Sequence, residues 1–119
     1  MSSFVCKVFY GVSPELRELV PPDSVTVYLE GELDIFTAPL LNREVQRIDL
    51  AFPLVIELSE LEYMDTAGIG ALLAFHRQRK GAGRVCLCNP RRCVARVLSV
   101  VGFERACKII SSQREAIEA

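Results

Sequence analysis

The sequence predicts a single α/β domain built on a mixed, mostly parallel β-sheet. Short runs rich in β-branched residues alternate with segments of helical periodicity, and each helical segment is about three turns long. Strands that alternate with helices need crossover connections, and these make neighbouring strands parallel. We therefore expect a sheet of four to five strands with about four α-helices, in one domain that spans residues 1–119.

Two strands precede this alternation, and we expect them to pair antiparallel. Residues 4–10 are rich in β-formers, and apolar and polar side chains alternate over residues 25–30. Residues 11–23 connect the two strands and contain three prolines, so this connector is longer than a hairpin loop. The sequence predicts a turn or two of helix within it and assigns it no role.

Capping and stop signals place the remaining elements. Thr37 precedes a proline that the first turn of a helix tolerates, and glycines at 81 and 102 follow helical segments. The predicted elements are, in order, a helix from Thr37 with an apolar face at Leu41, Val45 and Ile48, a strand at 53–58, a helix at 66–79, a strand at 84–88, a helix that begins at Asn89-Pro90 and ends at Gly102, a short strand at 108–110 and a terminal helix from Ser111.

Composition excludes several classes of function. Half of the residues are hydrophobic, 24% are charged and the formal net charge is −1. No charge run suggests a tail that binds nucleic acid, and no apolar stretch reaches the roughly 18 residues of a membrane span. The N-terminus lacks the pattern of a signal peptide. We expect a cytoplasmic protein without direct nucleic-acid binding or membrane insertion.

The five cysteines and the single histidine form no recognisable metal or catalytic site. An odd number of cysteines in a chain without an export signal is typical of reduced thiols. The sequence has no CxxC pair, no G-x-x-x-x-G-K-[ST] loop and no base at a recognisable spacing from a nucleophile. We expect no metal, no cofactor and no catalytic residue, and hence no enzymatic activity.

Three further expectations concern side-chain environments. Cys86 and Cys88 lie two residues apart on a predicted strand, and we expect both to be buried as small apolar side chains. His76 is expected to pack on the apolar face of the second helix. The arginines in the second half of the chain are expected to be solvated: Arg77, Arg79, Arg84, Arg91, Arg92 and Arg96.

The junction between the third strand and the second helix is the segment whose residues most suggest a function. Asp65 and Thr66 are both good N-cap residues, because their side-chain oxygens can accept from the first backbone N–H groups of the helix. Gly68 and Gly70 each cost about 0.8–1 kcal/mol relative to alanine inside a helix, which indicates a close approach to the backbone. A hydroxyl at a helix N-terminus with free donors tolerates a phosphate. An ordinary strand-to-helix turn with a capping threonine explains the same residues without a function.

The segment Met-Asp-Thr-Ala-Gly-Ile-Gly-Ala-Leu at 64–72 resembles the phosphorylation-site motif of STAS domains, the anti-sigma factor antagonist family. Gly-Glu-Leu-Asp at 31–34 followed by Thr37-Ala38 resembles the strand end and helix start of that family. Asn89-Pro90 followed by Val-Gly-Phe at 101–103 resembles the frame of its third helix. The three motifs occur in the family's order and cover nearly the whole chain.

The resemblance implies a bacterial anti-sigma factor antagonist. Thr66 matches the phosphoacceptor, and Asp34 and Asp65 match acidic positions near the site where the kinase docks. The unphosphorylated protein would bind an anti-sigma factor that is a serine/threonine kinase and so free the sigma factor. Phosphorylation would end this binding, and a phosphatase would be a further partner. The implied partner-binding residues are Asp34, Thr37, Met64, Asp65, Thr66, Ala67 and Gly68. Asp34 has an alternative role, which is to end a strand and order a turn.

Two residues depart from the family pattern. Many antagonists carry two consecutive hydroxyl residues after the aspartate, whereas the second position here is Ala67, and the acceptor is threonine where serine is commoner. The Asp-Thr-Ala-Gly form also resembles the STAS subunits of bacterial lipid-transport ABC complexes. In that alternative role, Thr66 would seat against the ATPase subunit without a phosphate.

Overall fold

The computed structural model describes residues 3–79 and 84–111, and its centre is a five-stranded sheet in the order β1-β2-β3-β4-β5. β1 is antiparallel to β2, and the other neighbours are parallel, as the sequence predicts. The strands are β1 (Phe4–Phe9), β2 (Val25–Leu33), β3 (Leu54–Met64), β4 (Val85–Cys88) and β5 (Lys108–Ile110). The helices are α1 (Ala38–Gln46), α2 (Thr66–Gln78) and α3 (Arg92–Val100), and short 3₁₀ turns form at Pro14–Leu16 and Phe103–Arg105.

The three described α-helices pack on one face of the sheet. Alternate residues of β2 and β3 face them, because successive side chains of a strand point to opposite faces. Helix residues that complete this core include Leu41 and Val45 of α1, Leu72 and Phe75 of α2, and Val94 and Leu98 of α3. The predicted apolar face of the first helix is confirmed, since Leu41, Val45 and Ile48 are all at most 3% exposed.

The opposite face of the sheet carries a second, smaller core. Val55, Cys86, Cys88 and Ile110 point to this face, and Leu16 and Val20 of the connector cover them. The predicted burial of the two cysteines is confirmed, and their sulfur atoms lie 4.0 Å apart. The connector between β1 and β2 therefore covers the face of the sheet opposite the described α-helices.

Several predicted boundaries are wrong for identifiable reasons. β3 continues to Met64 rather than ending at residue 58, because β2 extends beside it to Leu33. Asn89 has a positive φ of 55°, and α3 begins only at Arg92, so Pro90 does not start that helix. The expected fourth helix and the stop signal at 80–83 fall outside the described residues, apart from Ser111.

One arginine also differs from expectation. Arg79 is only 2% exposed, although we expected it to be solvated. Its Nε donates to the carbonyl of Phe52 at 2.9 Å, and its Nη2 donates to the carbonyl of Ile48 at 3.1 Å. The side chain thus ties the end of α2 to the loop between α1 and β3. His76 is half-buried, in line with the predicted packing.

Within the part of the chain that the structure describes, every helix is too short or too polar to cross a membrane.

Candidate functional site

The site forms where β2 and β3 end side by side. Leu33 pairs with Met64 in the parallel ladder, and the backbone N–H of Asp65 donates to the carbonyl of Leu33 at 3.2 Å. β2 and β3 end at these two residues, so Asp34 and Asp65 begin adjacent connections at the same edge of the sheet. The carboxyl edge of a parallel sheet is where such connections converge.

Asp65 caps α2. Its Oδ1 accepts from the backbone N–H groups of Ala67 at 2.9 Å and Gly68 at 3.4 Å. This cap satisfies two of the donors that a helix N-terminus leaves unpaired. The prediction that these donors are free for a phosphate is therefore wrong, because the Asp65 carboxylate already occupies them.

Thr66 is the first residue of α2, and its side chain is exposed to solvent. Its hydroxyl makes no hydrogen bond to any residue in the described ranges. Among the described residues, no general base is bonded to it. The arrangement leaves an accessible hydroxyl on the surface, directly after the aspartate that caps the helix.

Asp34 orders the turn that leads from β2 into α1. Its Oδ1 accepts from the N–H groups of Phe36 at 2.9 Å and Thr37 at 3.1 Å. In return, the N–H of Asp34 donates to the Thr37 hydroxyl at 2.9 Å, and this hydroxyl donates to the carbonyl of Glu32 at 2.7 Å. The structure thus shows the turn-forming role for Asp34. Thr37 is 3% exposed, so it holds the turn and offers no contact surface.

Met64 and Gly68 belong to the core of the site. Met64 is 2% exposed, and Gly68 is buried against it. A Cβ atom on Gly68 would lie 2.7 Å from Cγ of Met64 and 2.9 Å from Cγ of Leu33. The missing side chain at Gly68 lets α2 approach the strand ends closely. Of the residues that we expected to contact a partner, those at 37, 64 and 68 are therefore enclosed, and those at 34, 65, 66 and 67 have some exposure.

Exposed apolar side chains flank the site, and the sequence did not predict three of them, Ile35, Phe36 and Leu40. Ile35 is 68% exposed and Phe36 is 76% exposed, at the tip of the turn that Asp34 orders. Leu40, in the first turn of α1, and Tyr63, next to the end of β3, are 44% and 51% exposed. We call these four residues the apolar rim. The signal available in the sequence is the Ile-Phe pair directly after Asp34, which a polar turn would not need.

The described residues that could bind a metal ion do not converge, and burial keeps the thiols of Cys6 and Cys107 protonated. Among the residues that the structure describes, no group of three or more histidine, cysteine or acidic side chains converges to hold a metal ion. Burial raises the pKa of Cys6 to about 11 and that of Cys107 to about 12, with smaller contributions from Glu44 and Cys86 respectively. A thiol that stays protonated is a poor nucleophile.

Comparison with known proteins gives a family and a set of related structures. The family model described as the STAS domain matches residues 9–116. The chain is 27% identical over 107 residues to proteins named anti-sigma-B factor antagonist from Listeria monocytogenes and Listeria innocua, covering 87% of this chain and 93% of each relative.

Solved structures share the fold. An anti-sigma factor antagonist from Mycobacterium paratuberculosis superposes with a TM-score of 0.72 at 20% identity, over 91% of this chain and 86% of that one. The anti-sigma factor antagonist SpoIIAA in its unphosphorylated form gives 0.67 at 23% identity, over 98% and 94%. A Thermotoga maritima protein described as an anti-sigma factor antagonist gives 0.63 at 28% identity, over 78% and 85%.

Proposed function

The chain belongs to the STAS domain family, and we propose that it is an anti-sigma factor antagonist controlled by phosphorylation of Thr66. In this proposal the unphosphorylated protein binds an anti-sigma factor that is a serine/threonine kinase, in the cytoplasm, and so frees a sigma factor. The relatives named anti-sigma-B factor antagonist, which align over 87% of the chain, support the class of function.

The observation that carries the proposal is the exposed Thr66 hydroxyl at the start of α2. It is unbonded among the described residues and lies beside the carboxylate that caps the helix. A kinase active site needs an accessible hydroxyl, and the absence of a hydroxyl at Ala67 leaves Thr66 as the single acceptor of the motif.

Phosphorylation would act on the surface rather than on the fold. It adds about −1.5 to −2 charges and three acceptor oxygens. Asp65 already uses the N–H groups of Ala67 and Gly68, so these donors are not available to neutralise the phosphate. The phosphate would add bulk and charge beside the carboxylates of Asp65 and Asp34, and a partner surface that fits an uncharged threonine would have to accommodate and desolvate it, which opposes docking.

The apolar rim would supply most of the binding energy. Exposed aromatic and aliphatic side chains next to charged groups are typical of a protein interface, in which a few central anchors dominate. Phe36, the most exposed residue of the rim, is the expected anchor. The Asp34 turn would hold it in place before binding, which reduces the entropy cost of association.

The first test uses the purified chain with the anti-sigma kinase encoded in the source genome and ATP. We expect one phosphoryl group on Thr66, located by mass spectrometry, and none on Thr66→Ala. In calorimetric titrations with the kinase and without ATP, the Thr66→Glu protein is expected to bind the kinase about tenfold or more weakly than wild type. A tenfold change corresponds to about 1.4 kcal/mol of binding free energy. Equal affinities of Thr66→Glu and wild type would contradict the switch.

Matched variants separate charge, cap and apolar contact. Asp65→Asn retains an N-cap side chain and removes the charge, so a change in binding with unchanged stability would report the charge alone. Phe36→Ser is expected to weaken binding, and Val100→Ser on α3, at 81% exposure, is the control for loss of an exposed apolar side chain. Equal effects of the two serine variants would argue against the rim as the docking surface.

The transport alternative predicts a different result in the same experiment. An ABC ATPase subunit that binds wild type and Thr66→Glu equally, with no kinase bound, would assign the chain to a lipid-transport complex. Thr66 would then be a packing residue of that interface.

A further inference from the structure

We infer that the open edge of β1 binds the same edge of a second copy of this chain, so that the two sheets continue as one across a symmetric dimer. β1 is the first strand of the sheet, and among the described strands it pairs only with β2. The inference does not rest on the proposed function, because Thr66 follows β3 and is not part of β1.

The backbone of β1 has a row of N–H and C=O groups that point away from the sheet. The N–H of Val25 donates to the carbonyl of Pro53 beside β3, so the backbone groups of the odd-numbered residues of β2 face β3 and those of the even-numbered residues face β1. Through the antiparallel register, the residues of β1 that bond to β2 are Val5, Lys7 and Phe9. The residues whose backbone groups point to the open edge are Phe4, Cys6 and Val8.

This edge lacks most of the features that keep strand edges from pairing. In the ranges that the structure describes, no hydrogen bond uses the open-edge backbone groups. Proteins protect exposed edges with very short strands, prolines, bulges or charges. β1 is six residues long, its register with β2 is continuous, it contains no proline, and Lys7 is its one charged residue. β5, at the other edge of the sheet, is only three residues long.

The side chains of β1 are apolar and incompletely covered on both faces of the sheet. Phe4, Cys6 and Val8 pack against the main core but are only partly buried. On the opposite face, Val5 is 39% exposed and Phe9 is 54% exposed. A second strand along this edge would cover apolar surface on both faces and satisfy the open-edge backbone groups.

The sequence of β1 selects one self-complementary register. Two identical antiparallel strands are related by a twofold axis, and an axis at Cys6 pairs Phe4 with Val8 of the second copy, so all the open-edge residues find partners. An axis at Lys7 would place two lysines directly opposite each other, which is unfavourable. An axis at Val5 would pair only Phe4 and Cys6.

Charge complementarity supports the axis at Cys6. In this register, Lys7 lies opposite Val5 of the second copy, and the residue beside that Val5 on β2 is Glu30. Each Lys7 therefore faces a row that ends in a carboxylate of the other copy. Neither Lys7 nor Glu30 forms an ion pair within 4.0 Å with another described residue.

The first measurement is sedimentation equilibrium of the full chain in reducing buffer, over about a hundredfold range of protein concentration. We expect the average mass to rise from one chain to two and to stop there, because a twofold axis closes the assembly. A mass that stays at one chain, or that grows beyond two, would overturn the inference. Slow hydrogen exchange at the Cys6 amide in a constant monomer would assign the edge to another segment of this chain.

Charge variants at position 5 test the register. Val5→Lys places a lysine opposite Lys7 of the second copy and is expected to weaken the dimer about tenfold, whereas the matched Val5→Glu gives an attractive pair there. Within one chain, position 5 lies opposite Glu30, so lysine suits the folded monomer better than glutamate does. Loss of the dimer in Val5→Lys is therefore not a loss of folding. Adding Lys7→Glu to Val5→Lys is expected to restore association, and equal weakening by both single variants would overturn the register.

Disulfide trapping tests the same pair directly. Val5→Cys and Lys7→Cys are made separately in a Cys93→Ser background, which removes the exposed native thiol. Opposite residues of this type have Cα atoms about 4.5 Å apart, within the range that a disulfide spans. We expect oxidation of the mixture to give a linked dimer of the two variants, well above the linkage in either variant alone. Absence of this excess would contradict the pairing at Cys6.

Discussion

Gly68 and Gly70 lie two residues apart in α2, but Gly68 is buried and Gly70 is exposed. Both lie in the first turns of α2, and the sequence gives them equal weight. Gly68 faces the strand ends, where a Cβ would lie 2.7 Å from Met64, whereas nothing lies within 4 Å of a Cβ on Gly70. The close approach inferred from the glycines therefore belongs to the core at Gly68, and Gly70 is open to solvent.

We predict opposite effects of alanine at the two positions. Gly68→Ala is expected to lower the free energy of unfolding by about 1–2 kcal/mol, because overpacking exceeds the gain in helix propensity. Gly70→Ala is expected to raise it by up to about 0.8–1 kcal/mol. Urea unfolding of both variants measures this difference, and a stabilising Gly68→Ala would show that α2 can move away from Met64 freely.

The connector between β1 and β2 covers one face of the sheet, a role that the sequence did not indicate. Leu16 is 2% exposed and covers Val55 and the two buried cysteines of β4. Lys108 of β5 donates from Nζ to the carbonyl of Leu19 at 3.1 Å, which fastens the connector to the far edge of the sheet. Without this segment, Val55, Cys86 and Cys88 would lose the described side chains that cover them on the second face of the sheet.

We predict that Leu16→Ala lowers the free energy of unfolding by about 2–5 kcal/mol, the range for loss of a buried leucine side chain. The nearby Leu19→Ala is the control, because Leu19 is 42% exposed and an exposed substitution is expected to change stability by only about 0.5 kcal/mol. Leu16→Ala should also make the thiols of Cys86 and Cys88 react faster with an aromatic disulfide reagent. Equal stability of the two variants would mean that the connector does not support the sheet.

At the scale of the whole molecule, buried thiols link stability to alkaline pH. Burial raises the pKa of Cys6 to about 11 and of Cys107 to about 12, above the roughly 8.5 of an exposed thiol. Between these values the folded protein holds protons that the unfolded chain releases. Stability is therefore full below the unfolded pKa and falls as pH rises toward the folded values.

We predict a decline in the free energy of unfolding from pH 8 to pH 10, measured by urea denaturation. Cys107→Ala is expected to make this decline shallower, whatever its effect on stability at pH 7. Cys93→Ala, which removes an exposed thiol, should leave the slope unchanged. A slope that is the same in all three proteins would show that Cys107 does not contribute to the pH dependence.

The sequence alone determined the α/β class, the antiparallel first strand pair, the apolar face of α1 and the position of Thr66 at a helix start. These features depend on local periodicity and on capping chemistry, which residues close in sequence decide. The STAS motifs added the family. The predicted end of β3 at residue 58 is wrong because strand length depends on the partner strand, and residues 59–64 are strand only beside an extended β2.

Only the tertiary structure decided which side chains of the motifs face a partner. Register places Leu33 opposite Met64, so Met64 and Gly68 are enclosed and the neighbouring Ile35 and Phe36 are exposed. Packing likewise buries Arg79 beside Arg84, although both resemble surface arginines in the sequence. Whether a residue is buried depends on which other segments of the chain pack against it. For that reason a motif can fix where a site lies in the chain, and the fold determines which of its atoms reach the surface.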